Sequence, residues 1–403
     1  MKCLLFFIIF LSLYSLRSQN MLPIDKDSLI GQGNQYLIFS GVAGYQSTSI
    51  GKDITKSFFY GGLIDSEMKQ LSSDRHDEIN RFGLEMNAEF EYRNEKLGLF
   101  KDSLIGLIVK GGIYNFSSMI YSKDIFDLAF LGNEMFVGDT ANLTGSEFSS
   151  VTFQKLGFGL IDKRTRSSLA FNFVGLNNYV QGVFGDSYVY QNQELDSMAI
   201  EFSGSAERAL GKGYFKGIGL ALDIDYRFKM KKNEDDHIHF QLLARNLGFA
   251  LMKRENYNLN SSLTYSSYQI DDLINAETIF NDTDEFVSEL SDTSSNRNSV
   301  ILLPAMFQFT KLIDPMSSKR IQGFFGFRTF LNKAYIPMLF GGLDFRAASW
   351  YRIGAQLSYG GFSQLRWGMY SALCFKKIEL GIASENLFSK TGESIIIKLS
   401  CAF

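Results

Sequence analysis

Residues 81–93 read RFGLEMNAEFEYR, and the same two-residue rhythm returns along the whole chain. Phe82, Leu84, Met86, Ala88, Phe90 and Tyr92 alternate here with Arg81, Glu85, Asn87, Glu89, Glu91 and Arg93. Successive side chains of an extended strand point to opposite faces, so the stretch writes one apolar face and one charged face. In GIGLALDIDYRFK (217–229), Ile218, Leu220, Leu222, Ile224, Tyr226 and Phe228 oppose Asp223, Asp225, Arg227 and Lys229. In WYRIGAQLSY (350–359), Tyr351, Ile353, Ala355, Leu357 and Tyr359 oppose Arg352, Gln356 and Ser358. The chain closes on SIIIKLSCAF (394–403), where Ile395, Ile397, Leu399, Cys401 and Phe403 share a face.

Two architectures use such strands. In a soluble sandwich the apolar face is the core; in a membrane barrel it meets lipid and the charged face lines the lumen. Strand length and connections separate them. Segments of about ten residues suit a tilted spanning strand and exceed the usual five or six of a soluble sheet. Short polar turns at 93–102, 162–166, 229–236, 314–319, 347–349 and 376–377 alternate with a second class of connection. That class includes long segments at 52–76, 121–148, 180–214 and 253–293 and tighter ones near Asn332, Gly360–Gly361 and Ser389–Gly392. This ordering predicts an all-β, transmembrane antiparallel barrel of about 14 strands, with 12 and 16 also allowed by the boundaries. The strands fall near 35–50, 78–93, 103–119, 149–161, 167–179, 215–229, 236–251, 297–312, 320–331, 335–346, 350–360, 363–375, 378–387 and 394–403. Short helices are expected in the outer loops, at 53–71, 123–136 and 271–292. Loop 52–76 is either packed on the barrel rim or folded inward as a plug.

The first residues, MKCLLFFIIFLSLYSLRSQN, carry Lys2, an apolar run from Leu4 to Leu13 and then Ser18. That reads as a cleaved secretory signal over 1–18, followed by a single barrel domain over 19–403, exported to the cell outer membrane. No later run is long and apolar enough for a spanning helix. Cys374 and Cys401 remain after cleavage; export allows a disulfide, and each also suits a small apolar strand position. A net charge of −3 gives no sign of a nucleic-acid partner.

The runs FLGNEMFVGDTANL…FQKLGFGLI (130–161), GIGLALDIDYRF…HFQLLARNLGFALMKRENY (217–257) and SYGGF…GIASENLF (358–388) resemble outer-membrane barrels of the Bacteroidota. That group is uncharacterised in the main and is similar to fatty-acid-transporter-like barrels and to barrel partners of type IX secretion. The resemblance implies fold and location more than activity. The Asn-Pro-Ala that many such barrels carry near the mature N-terminus is missing.

Catalytic signatures are missing as well: there is no Walker A loop, HExxH, GxSxG or strand-linked GxGxxG. His237 and His239, with Glu234 and Asp236 close by, make a weak metal pattern that a solvated turn edge explains better. His76 has no nucleophile motif beside it. Neither an enzyme nor a cofactor is expected. The charged faces place Glu85, Glu89, Glu91, Asp223, Asp225, Arg227, Arg245, Arg328, Asp344, Arg346, Arg352 and Arg366 in the lumen, as a stabilising network or a pore lining. Phe403, Leu399 and Ile397 form an assembly signal that resembles the one read by barrel-insertion machinery. The expected function is a passive or gated channel for small solutes, hydrophobic ones included. The alternative is a non-transporting barrel that scaffolds exported proteins. Expected partners are membrane lipid, the insertion machinery and either such solutes or such proteins.

Overall fold

The computed structural model describes residues 33–97, 104–194, 197–231, 237–266, 291–314 and 317–403. The signal read at 1–18 and most of the acidic pattern at 271–292 lie outside these residues, as does the His237 side chain.

Alternation becomes strand wherever it was read. In chain order the strands are β1 (Gln35–Ser47), β2 (Ile79–Asn94), β3 (Ile105–Ser122), β4 (Thr140–Asn142), β5 (Glu147–Asp162), β6 (Ser168–Phe184), β7 (Tyr188–Gln191), β8 (Ser197–Leu210) and β9 (Gly217–Lys231). Then follow β10 (His237–Ser266), β11 (Ser291–Leu302), β12 (Met306–Lys311), β13 (Ile321–Phe330), β14 (Ile336–Ala348), β15 (Tyr351–Gly361), β16 (Ser363–Phe375), β17 (Ile378–Ser384) and β18 (Gly392–Ala402). All pair antiparallel in one sheet, and β1 joins β18 from Tyr36↔Ala402 to Gln46↔Gly392. The sheet is therefore a closed barrel, and closure leaves no backbone edge facing lipid.

The wall has fourteen positions. β8 and β9 run one after the other along a single position, since each lies between β6 and β10. β11 and β12 likewise share one position along β10, interrupted at Leu303–Ala305. Pro304 has no N–H to give the ladder there. Opposite the break, Asn246 takes a left-handed conformation (φ 57°) and the Leu303 amide donates to the Gly248 carbonyl at 3.0 Å. β4 and β7 pair with each other inside loops.

Two of the expected long loops are largely strand. Residues 180–214 hold the end of β6, the β7–β8 hairpin and β8 itself, and 253–266 extend β10. Their polar alternation (KRENYNLNSSLTYS) matches no lipid-facing band, yet it still pairs, because β8 and β10 stay in register from Lys253↔Leu210 to Ser266↔Ser197. The barrel thus carries a taller wall on one side.

Outward positions are apolar all round the barrel and well exposed, with Phe171 at 67%, Ile218 at 70%, Leu302 at 74% and Leu339 at 65%. No soluble monomer exposes so much apolar surface; in a bilayer it is the lipid-facing belt. Near the short-turn end, Tyr226, Phe228, Phe240, Phe309 and Phe327 stack side by side across four wall positions, 5.4–6.5 Å between centroids. Such a ring of aromatics marks a membrane–water boundary.

Three helices, α1 (Lys52–Tyr60), α2 (Ser66–Ser73) and α3 (Lys123–Leu131), occupy the first two outer loops. Asp65 caps α2 and Ser122 caps α3, each accepting from a first-turn amide. Their shared core is Ile54, Tyr121 and Phe126, packed on Phe82 and Met119 of the outward wall face. The inward plug is therefore not formed by α1 and α2: they rest on the outside of β1–β3, because their buried residues match the apolar outward face and not the charged inner one. Cys374 faces inward and Cys401 outward on their strands, so the two thiols are not bridged.

Candidate functional site

The inner face is built around paired charges. Asp223 on β9 accepts from the ammonium groups of Lys110 (β3) and Lys155 (β5), each at 2.8 Å, and from the Asn246 amide at 2.9 Å. Lys155 also donates to Asn246 Oδ1 at 2.8 Å and lies 4.6 Å from the centre of the Tyr114 ring. Glu89 on β2 receives Arg245 (β10) at 3.1 Å and the Tyr114 hydroxyl at 2.8 Å. Glu91 pairs with Arg93 two residues along the same strand. Asp225 holds Arg227 at 2.9 Å and Gln241 at 2.8 Å.

On the far wall, Arg328 donates to Gln308 Oε1 at 2.8 and 2.9 Å. Asp344 receives the Tyr370 hydroxyl, and Arg352 at 3.4 Å. Arg346 stands in register with Arg352 near the β14–β15 turn. Arg366 is 1% exposed and donates to the Gly360 carbonyl at 3.0 Å. Glu85 lines a small inner cavity with Arg328, Glu385 and Gln46.

These twelve positions thus lie on the inner face in several clusters and do not form one ring. Lys110, Lys155 and Tyr114 complete the network, and the sequence reading passed over them. A lone Lys within IVKGGIYNF or FQKLGFGL keeps the inward phase of its strand, which is the only signal it gives.

The inner face is also far more aromatic than its charge pattern suggests. Phe116 (β3), Phe330 (β13), Tyr335 and Phe362 form a cluster with centroids 4.8–5.8 Å apart. Tyr335 and Phe362 come from the β13–β14 and β15–β16 turns, so hairpin tips fill the barrel near its outer end. Gly83 on β2 is required there, since a Cβ would stand 2.0 Å from the Phe362 ring. Below lies the Lys155–Asp223 network. An inner cavity of about 30 Å³ sits against the aromatic cluster, lined by Tyr335 and Phe362, and another of about 90 Å³ lies at the charged network, lined by Lys110, Asp223 and Arg245.

A larger space lies outside the lumen. A crevice of about 870 Å³ is cut between α1 and the outward face of β1, β2 and β15–β18. Ala43, Met86, Ile353, Met369, Ile382 and Ile395 form its apolar wall. At its upper edge Lys56 of α1 pairs with Glu393 of β18 at 2.8 Å, and Phe59 of α1 leans on Tyr45 at 6.5 Å between centroids.

The wall is thin behind this crevice. β17 is only seven residues long and stops at Ser384, opposite Met369. Above it β16 and β18 are bridged by loop contacts: Glu385 N to Ser394 Oγ at 2.8 Å and Leu387 N to the Trp367 carbonyl at 3.0 Å. Glu385 lines the inner cavity, its neighbour Asn386 lines the outer crevice, and Gly44 and Ser394 line both. One loop and two small residues separate lipid side from lumen.

No family model matches the sequence, and no curated protein matches it. Among solved structures, a mutant TodX monoaromatic hydrocarbon channel is 9% identical, with 97% of this chain and 96% of that chain covered and a TM-score of 0.43. The Pseudomonas putida toluene transporter TodX is 8% identical over 96% and 93%, with a TM-score of 0.39. The translocator domain of the autotransporter NalP from Neisseria meningitidis is 10% identical over 94% and 91%, with a TM-score of 0.33. Similarity at that level leaves substrate and role to the chain's own geometry.

Proposed function

We propose that this protein is a gated outer-membrane barrel that admits small apolar solutes sideways from the lipid, through the crevice under α1. The observation that carries this reading is the contrast in space: about 870 Å³ on the lipid side against about 30 and 90 Å³ inside. A passive water-filled pore needs an open lumen, whereas pockets of several hundred Å³ with apolar walls suit a single small molecule. The gate is the loop Glu385–Ser389, because it closes the wall with a few hydrogen bonds where a full β-ladder would otherwise stand. The charged network beneath serves the barrel first as a stabilising frame, since each of those charges facing lipid would be costly.

The test is saturable binding of an apolar fluorophore such as N-phenylnaphthylamine to the refolded barrel in nanodiscs. Ala43→Trp fills the crevice from its outward wall; it is expected to abolish binding while leaving heat-modifiable migration intact. Equal binding by Ala43→Trp and the parent would sink the proposal.

A second reading, a scaffold for exported proteins, rests on the tall wall of β8 and the upper halves of β10 and β11. A sheet that stands above the lipid offers protein contacts that transport does not need. Removing that extension while retaining fluorophore binding would separate the two roles.

A further inference from the structure

We infer that α1 and the turn after it form an in-plane membrane anchor, seated at the headgroup boundary of the outer leaflet. The segment Phe58-Phe59-Tyr60-Gly61-Gly62-Leu63 presents four large apolar side chains almost in a row. Phe58 is 55% exposed, Phe59 51%, Tyr60 85% and Leu63 83%. Ile54 and Thr55 supply the helix's buried face, and these exposures leave most of the four apolar side chains outside it. Their surroundings point to lipid. α1 lies on the outside of the wall, tied there by Phe59 on Tyr45 and by Lys56 on Glu393.

The height of the helix follows from β18. Glu393 stands on the outward face of that strand, above Ile395 and Ile397 on the same face. A paired, half-exposed carboxylate above two isoleucines is where the apolar belt gives way to water. α1 sits at that level, so its aromatic tip continues an interface that the barrel has already made with the bilayer. Phe and Tyr rings are at home in that zone, with an apolar body in the acyl region and, for Tyr60, a hydroxyl among the headgroups. Charge does not drive the seating: Lys52 and Lys56 are matched by Asp53 and by Glu393. Insertion should therefore not depend on the anionic lipid fraction, unlike a polybasic surface helix. The glycine pair lets the chain turn back from the lipid, with Gly61 at φ 77°. Seen this way α1 roofs the crevice from within the leaflet, so that space opens to lipid and not to water. The inference stands on the barrel being in a bilayer and not on any transport through it.

The experiment uses the full chain with its three cysteines replaced by alanine, refolded into phosphatidylcholine vesicles. Single cysteines at Tyr60→Cys and, as a control on exposed α2, Glu67→Cys carry a nitrobenzoxadiazole fluorophore. At Tyr60 the dye should be quenched at least twofold more by lipids with a shallow acyl nitroxide than by deep nitroxide or by aqueous iodide. At Glu67 iodide should dominate. The Tyr60 result should be unchanged with one third phosphatidylglycerol. Iodide quenching at Tyr60 equal to that at Glu67 overturns the anchor, and so does strongest quenching by the deep nitroxide. Heat-modifiable migration of both labelled chains shows that the barrel is folded. Fluorophore binding in the crevice is read separately, so failure of one assignment does not carry the other with it.

Discussion

Asp223→Asn is the sharpest probe of the lumen. The carboxylate is 4% exposed and holds two ammonium groups at 2.8 Å, of which Lys155 is itself 1% exposed. The substitution keeps size and shape and removes the charge, leaving Lys155 and Lys110 side by side without the carboxylate they share. Breaking one partner of a buried ion pair typically costs about 3–5 kcal/mol, since the remaining charge is neither hydrated nor compensated. With a urea dependence of about 1–3 kcal/mol per molar, the unfolding midpoint in lipid vesicles should fall by about 1 M or more. Replacing all three members, as Asp223→Leu with Lys155→Met and Lys110→Met, removes the orphaned charges and should recover most of the loss. A change below about 0.5 kcal/mol for Asp223→Asn, the size expected of an ordinary surface position, would refute the reasoning. So would a triple variant weaker than the single one.

Other expectations follow from the same structure. Gly83→Ala drives a Cβ into the Phe362 ring and should destabilise by about 1–3 kcal/mol, with Phe362→Ala relieving most of it; additive losses in the pair would contradict the contact. Phe403 exchanges hydrogen bonds with Gln35, its amide donating at 3.0 Å and its carbonyl accepting at 3.1 Å. Deleting it should lower the folded, membrane-inserted fraction before any binding property changes, and a normal yield would argue against its role in closure. Burial beneath Phe126 and Tyr121 pulls His76 below its ordinary value of 6.5, against the hydrogen bond to the Ser72 carbonyl. The unfolded cap then binds a proton first, so cap stability is full above that pH and declines as pH falls through it. Hydrogen-exchange protection over 66–76, normalised to the intrinsic exchange rate at each pH, should fall from pH 7.5 to 5.5 and lose that dependence in His76→Gln; a flat normalised profile in the parent would count against it.

Much of this barrel was legible because alternation is a local property. Glu89, Asp223 and Arg245 fall inward and Ile397 outward from phase alone, and the strands place them so. What could not be read was how full the inside is. Phe116, Phe330 and Phe362 look like any other aromatic in a strand or turn, and only the fold brings them together from three hairpins. The crevice was hidden for a related reason: Ala43, Met369 and Ile382 read as ordinary lipid-facing residues. It takes the early end of β17 and the position of α1 to leave a space between them. The upper parts of β8 and β10 read as loop because polar alternation above a membrane has no belt to betray it. The choice between rim and plug for 52–76 is not legible in the sequence either, since an apolar helical pattern says that a helix has a buried face but not which side of a wall receives it.

Planar-bilayer recording of the refolded, unmodified barrel tests the account most directly. A lumen filled by the Tyr335–Phe362 cluster and the Asp223 network should pass no steady ionic current, while the same preparation binds an apolar fluorophore. A stable open-pore conductance in the unmodified chain would contradict it.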